Sequence, residues 1–203
     1  TPFVVVPTTV GSGSEVTRAA ALIDPNVKKK LVVRGNRLFA KAAVLDPELL
    51  KTLPPRVTAA TSMDALAHAI EGYVSLFASP VTDALHRHAI SMISNNIRPA
   101  VANSQNMEAM GNLLLASTIT GMGFTNSSLG LVHAMSHPVS AHFNVPHGEA
   151  NAILLPEVMK FNWIAQPDKF AEIALLLGGN RSLDRIELAK TAGDLVAALA
   201  RDV

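Results

Sequence analysis

Four of the seven histidines fall within fifteen residues: His133, His137, His142 and His147, in GLVHAMSHPVSAHFNVPHGEANAILLP, residues 130–156. His133 and His137 are four apart, a spacing that puts both on one face of a helix. His147 sits in a Pro-His-Gly step that reads as a turn leading into another helix. Upstream, TSMDALAHAIEGY repeats the four-residue spacing with Asp64 and His68. A carboxylate with several neutral imidazoles is a nitrogen and oxygen donor set suited to Fe(II), Zn(II) or a similar divalent ion.

A single Asp-x-x-x-His pair is as readily a hydrogen bond on a helix surface. Here the flanking DALAHAI is apolar, and an unpaired carboxylate buried there is costly; a metal ion is the simplest compensation. One buried histidine is usually hydrogen-bonded structure, but four so close together are harder to reduce to that. Two or three of the four are expected to join Asp64 and His68, and spacing does not choose among them. Glu71 falls on nearly the same face, either behind a ligand or facing solvent. His86 and His88, beside Asp83 and Arg87, read as surface residues. HExxH is absent, so a zinc-protease arrangement has no support. TTVGSGSE, residues 8–15, follows a strand-like run, where backbone and hydroxyl groups often meet a nucleotide. It is not GxGxxG, and alone it reads better as a tight turn; Lys30 lends partial support to a cofactor role.

The elements that must position these groups change in texture near Pro54. Before it, Phe3–Val6, Val16–Ile23, Leu31–Val33 and Ala42–Leu45 read as short strands. Asp24-Pro25-Asn26 is the turn of a hairpin, and Asp46-Pro47 starts a helical turn. After it, helices are expected from Arg56 or Val57 to Phe77, Val81 to Ile97, Met107 to Met122, Leu129 to His137 (bent or ended by Pro138), Gly148 to Phe161, Asp168 to Leu177 and Ser182 to Arg201. Short Pro-, Gly-, Asn- and Ser-bearing connections suit an antiparallel helical bundle. The expected fold is therefore mainly α with a short N-terminal β portion.

Composition agrees with a globular domain: 49% of the 203 residues are hydrophobic and 16% charged. A net charge of +1, with no basic run beyond Lys28–Lys30, argues against a nucleic-acid partner. The lack of cysteine excludes disulfides and thiolate zinc sites and fits a reducing cytoplasm. No apolar run approaches the roughly 18 residues of a membrane span, and no signal peptide opens the chain. The chain opens on TPFVVVP without Met and closes inside a helical pattern, so both ends read as cut.

VPTTVGSGSEVT, PPRVTAATSMDALAHAIEGYVS and ITGMGFTNSSLGLVHAMSHPVSAHFNVPHGEANAILLP, in that order and spacing, closely resemble the iron-containing (group III) alcohol dehydrogenases. The similarity spans essentially the whole chain and weakens after Trp163. It implies a dehydroquinate synthase-like architecture, with residues 1–52 a remnant of the dinucleotide-binding domain. Residues 53–203 would be the helical metal-binding domain, truncated at its C-terminus. It implies NAD- or NADP-dependent interconversion of a primary alcohol and an aldehyde, with Fe(II), or Zn(II) or another divalent ion, held by Asp64, His68, His133 and His147. His137 would then stand beside the metal for proton transfer or positioning, and Phe124 would line the substrate pocket. Thr8, Thr9, Ser12 and Lys30 would contact the cofactor, Ser12 standing where the family usually has Thr. Expected partners are a small alcohol or aldehyde and further copies of the chain, as a dimer or larger. The family's Gly-Gly-Gly-Ser pyrophosphate loop is absent, so an internal fragment is expected, one that could bind metal without turning over. Glycerol- or 4-hydroxybutyrate-type dehydrogenases of the same superfamily are the alternative; the glycerol enzymes use zinc and fewer histidines, so His133 with His147 favours the iron type. The remaining alternative is a helical metal-binding domain with no activity of its own.

Overall fold

The computed structural model describes residues 2–24, 26 and 29–203, with only the backbone at Lys29. Its helices begin where the sequence supplies starts. Helix α1 (Pro55–Tyr73) opens on proline, whose missing N–H costs nothing in the first turn. In α2 (Pro80–Ala102), the Ser79 hydroxyl accepts from the Thr82 N–H while Thr82 Oγ1 accepts from the Ser79 N–H, a reciprocal cap. Asn106 caps α3 (Met107–Ser127). Then come α4 (Leu131–Phe143), α5 (His147–Asn162) and α6 (Pro167–Leu176), and Asp184 caps α7 (Arg185–Asp202) through two backbone N–H groups. Among the described residues these seven α-helices dominate, as expected from the sequence. None is long and apolar enough to cross a membrane.

Four short strands precede them. β1 (Val4–Val5) pairs in parallel with β4 (Ala42–Ala43), while β2 (Ala19–Asp24) and β3 (Lys29–Arg34) form the expected antiparallel hairpin. Its register sets Ala19 opposite Arg34, Ala21 opposite Val32 and Ile23 opposite Lys30. β2 starts later than Val16 because Ser14–Val16 closes into a 3-10 turn. Pro25, at the centre of the expected turn, and Lys28 lie outside the described residues.

Helix α1 runs through the middle of the bundle, packed against α2, α3 and α5. Its Leu66 and Ile70 join Ile90, Ile93, Leu113 and Phe170 in the core, all at most 1% exposed; each such side chain contributes roughly 1.5–3 kcal/mol of burial. Because α1 is covered on all sides, Asp64, His68 and Glu71 are carried inside with it and must find partners there.

Three expectations are corrected. α1 stops at Tyr73, not Phe77: the Ser75 hydroxyl donates to the Ser127 carbonyl, drawing the chain out of the helix and leaving Phe77 73% exposed. α4 starts at Leu131, not Leu129, and of the two outcomes open at Pro138 the proline does not end the helix, which runs on to Phe143. Pro138 and Ala134, whose carbonyl loses its partner, both face solvent, so water can satisfy that oxygen. His86 is not a surface residue. It shares a face with Ala89, Ile90 and Ile93 and is fully buried, its ring filling the gap between Gly72 of α1 and Gly123 of α3. A Cβ at either glycine would overlap the imidazole. Nε2 bonds Ser127 Oγ at 3.1 Å, and burial pushes the ring pKa down to about 4. His88 is exposed, as expected.

Candidate metal centre and cofactor cleft

Asp64 and His68 occupy successive turns of α1; His133 comes from α4 and His147 is the first residue of α5. α5 reaches α1 this closely because residue 148 is glycine: a Cβ there would run into the Ala60 carbonyl oxygen. An Arg56–Glu149 ion pair at 2.8 Å closes the same junction from outside. Asp64, His133 and His147 each offer a donor atom, all within 4.8 Å of one another. Asp64 Oδ1 lies 3.6 Å from His133 Nε2 and 3.8 Å from His147 Nε2. Two donors each ~2.1 Å from one ion at a tetrahedral angle stand ~3.4 Å apart, so the trio is close to ligation distance.

The fourth expected ligand, His68, stands at the edge of this trio. Its Nδ1 is 3.6 Å from Asp64 Oδ1, and its ring lies 4.3 Å from that of His133 and stacks on Phe124 at 4.6 Å. It supplies no atom to the compact group, and its Nδ1 is buried without a partner. His137 stands behind, 6.0 Å from His133 and 5.3 Å from His147 between ring centroids, half-buried. His142, in the last turn of α4, faces solvent.

Glu71 is resolved as a partner behind the trio, not a surface group. One oxygen accepts from His133 Nδ1 at 2.5 Å and the other from the Val132 N–H at 2.6 Å. A carboxylate on Nδ1 fixes the imidazole so that Nε2 turns toward Asp64. Asn151 was missed by sequence reasoning. It follows His147 by one helical turn, and that i+4 spacing was the available signal. Its buried amide nitrogen stands 2.6 Å from Asp64 Oδ1, 3.2 Å from His133 Nε2 and 3.3 Å from His147 Nε2, while its Oδ1 has no partner.

The donor set is short of positive charge. Burial by itself would raise the Asp64 carboxyl, but the imidazoles of His68, His133 and His147 hold it well below the usual carboxylate range. Burial lowers His68 to about 3 and His147 to about 4. Burial would lower His133 as well, yet Asp64 and Glu71 raise it to about 9. An imidazolium there would turn its Nε2–H against the Asn151 amide hydrogens; a neutral ring would leave two buried carboxylates uncompensated. A divalent cation in the trio removes both conflicts, so the residues fit a metal ion. Burial, with Lys30 next, lowers His137 to about 4, leaving it a neutral proton acceptor near pH 7.

These groups open into a cavity of about 740 Å³ between the helices and the β2–β3 hairpin. Asp64, His68, His133, His137 and His147 line it together with Phe124, Ser12 and Lys30. Burial lowers the Lys30 ammonium pKa, with Asp64 opposing the shift. Thr8 and Thr9 are not among the residues lining this cavity. The 8–15 segment is no free turn. Gly13 takes a left-handed φ of 58° and its N–H donates to Ser117 Oγ at 3.1 Å. Glu15, 3% exposed, accepts from Thr118 Oγ1 at 2.5 Å. Both contacts dock the hydroxyl-rich loop on α3, the helix that ends in Phe124 and Ser127. Sequence reasoning had not singled out Glu15.

A mainly helical domain that gathers a carboxylate and imidazoles in the wall of one cavity, beside a loop pinned to the same helices, has the architecture of the helical domain of the dehydroquinate synthase-like fold. Comparison with known proteins makes this specific. The family model described as "Fe-containing alcohol dehydrogenase family, C-terminal" matches residues 58–203, and "Iron-containing alcohol dehydrogenase" matches residues 1–47. The chain belongs to the iron-containing alcohol dehydrogenase family. It is 44% identical over 203 residues, all of this chain and 52% of the relative, to 1,3-propanediol dehydrogenase of Klebsiella pneumoniae. It is 41% identical over 200 residues, 98% of this chain and 52% of the relative, to the NAD-dependent methanol dehydrogenase of Bacillus methanolicus. Among solved structures, a 1,3-propanediol oxidoreductase superposes with a TM-score of 0.95 at 44% identity, covering 99% of this chain and 53% of that one. An alcohol dehydrogenase from Oenococcus oeni gives 0.96 at 38% identity, again covering 99% and 53%. The chain spans about half the length of the curated relatives it matches.

Proposed function

We propose that this chain is the metal-binding portion of an NAD(P)-dependent dehydrogenase that interconverts a primary alcohol and an aldehyde. The observation that carries the reading is the trio of Asp64, His133 and His147, backed by Glu71, in the wall of the cavity that Ser12 and Lys30 also line. Asp64, His133 and His147 would hold the ion, with His68 completing the set. When bound, a divalent ion supplies Lewis-acid stabilisation of charge on the substrate oxygen, and a nicotinamide supplies the hydride acceptor or donor. The protein's part is then positional. Glu71 fixes the orientation of His133, and Phe124, stacked on His68, shapes the substrate side. His137, neutral and half-buried at the cavity wall, would hold or relay the proton that the alcohol gives up. Ser12 and Lys30, with Thr8 and Thr9 at the start of the same segment, would meet the cofactor.

Residues 1–52 are proposed to complete a dinucleotide-binding domain, and residues 53–203 to be the catalytic helical domain. The exposed apolar side chains Val4, Val6, Leu22, Leu31 and Val33 support a further covering layer on the first segment, and a homo-oligomeric full-length protein is proposed with it. The test is full-length protein supplied with Fe(II) and assayed with NAD+ and NADP+ over a panel of short primary alcohols. Metal-dependent reduction of either cofactor is expected. No turnover across the panel would leave a metal-binding domain without this activity. His137→Ala is expected to retain the metal and lose most turnover; unchanged rates would remove its proton role.

A further inference from the structure

The cavity extends beyond the metal trio along the hairpin, and its charge is one-sided. Lys30, Val32 and Arg34 alternate along β3 and line the cavity, as a strand face should, and Arg18 joins them at the base of the hairpin. Among the described residues Asp64 is the sole carboxylate in the lining, and it is engaged with the histidines and Asn151. Arg18 and Arg34 are exposed, and neither makes an ion pair among the described residues. Opposite Arg34 the register places Ala19, and Ala20 and Ala21 follow, also lining the cavity. Ala19 and Ala21 share the face of Arg34 and Val32, and their small side chains leave the cavity side of the hairpin open beside the exposed guanidinium. Arg34 lies four strand residues from Lys30, about 13 Å along β3, with Val32 as an apolar step between them.

We propose that Arg34, assisted by Arg18, is a specificity-determining seat for an oxyanion carried by the substrate, so that the preferred alcohol is a hydroxy acid or its sulfonate or phosphonate analogue. The inference rests on reading the cavity as an alcohol–aldehyde site. A guanidinium offers planar paired donors that match a carboxylate's two oxygens, and it remains charged at every working pH. A substrate would place its reacting carbon at the trio, lay its methylenes along Val32, Phe124 and Leu129, and set its anion at the hairpin base. The coenzyme's phosphates are the other source of the same chemistry, and the assay separates the two.

Full-length wild type and Arg34→Ala, loaded with Fe(II), are compared on 3-hydroxypropanoate, 4-hydroxybutanoate and 6-hydroxyhexanoate against 1-propanol, 1-butanol and 1-hexanol. The KM of NAD+ and NADP+ is followed in parallel. Binding of each acid and alcohol is also measured by calorimetry, which needs no turnover. At least one acid is expected to exceed its matched alcohol in kcat/KM by about 10- to 100-fold, the worth of one charge-assisted contact. In Arg34→Ala that ratio falls to near one with the coenzyme KM unmoved, and Arg34→Lys restores part of it. No preference for acids in the wild type overturns the proposal, as does an unchanged ratio in a folded Arg34→Ala. A raised coenzyme KM with the ratio intact assigns Arg34 to the dinucleotide and also overturns it. If neither class turns over, the dehydrogenase reading fails by itself. Calorimetry then decides: Arg34-dependent binding of the acid keeps the oxyanion seat, and its absence removes it.

Discussion

Replacing Glu71 by glutamine changes one oxygen to an NH2 and leaves shape and burial alone. In the wild type the two carboxylate oxygens accept from His133 Nδ1 at 2.5 Å and from the Val132 N–H at 2.6 Å. The substituted amide would keep its oxygen on Val132, because that backbone donor has no other partner, and so turn its NH2 toward Nδ1. Two donors then face each other unless His133 moves its proton to Nε2, the atom 3.6 Å from Asp64 that a metal needs bare. Metal binding in the variant must reverse that tautomer and leave a buried donor unsatisfied, which costs about 1–3 kcal/mol. This corresponds to a loss of affinity of roughly 5- to 150-fold, overlapping the roughly 10–100-fold seen when such outer partners are removed. Competition between the protein and a calibrated chelator for Zn(II) or Fe(II) measures the ratio, with thermal unfolding of the metal-free proteins showing that both are folded. A folded Glu71→Gln with metal affinity within about twofold of wild type would refute the assignment of Glu71 as the group that orients His133.

His147→Ala is expected to lose most bound metal, since it deletes one of three converging donors; elemental analysis after dialysis checks it, and full occupancy would contradict the ligand role. Gly148→Ala forces α5 away from the Ala60 carbonyl and should cost about 1–3 kcal/mol of stability through overpacking. It should weaken metal binding as well, because His147 is displaced; unchanged binding in chelator competition would show that the contact does not position the histidine. His86 gives the fold an acid limit. Its folded pKa of about 4 lies below the ordinary 6.5, so between those values the unfolded chain takes up a proton that the native state refuses. Stability is complete above about pH 6.5 and falls by up to about 1.4 kcal/mol per pH unit toward pH 4. Denaturant titrations at pH 7.5 and 5 should show that His86→Gln flattens this part of the slope, and an equal slope in both proteins would count against it.

The sequence alone named the candidate metal donors and most of the fold. Among the described residues the sequence placed each of the seven α-helices, because proline, serine, asparagine and aspartate mark several of their starts locally. The Asp64/His68 and His133/His137 spacings, together with the quoted motifs, named the candidate ligands. What spacing could not supply was depth and partnership. His86 looked like one polar residue among charged neighbours, and its burial depends on two glycines, one from the helix before its own and one from the helix after. Glu71 could have faced water until α4 packed His133 and Val132 against it. Asn151 carried no signal beyond its distance from His147. Arg34 became notable once the hairpin register set it across from Ala19, on the cavity side. Local chemistry starts and stops helices, so sequence reads it. Which faces meet is settled by packing between distant segments, and that decides whether a polar side chain is solvated, structural or part of a site.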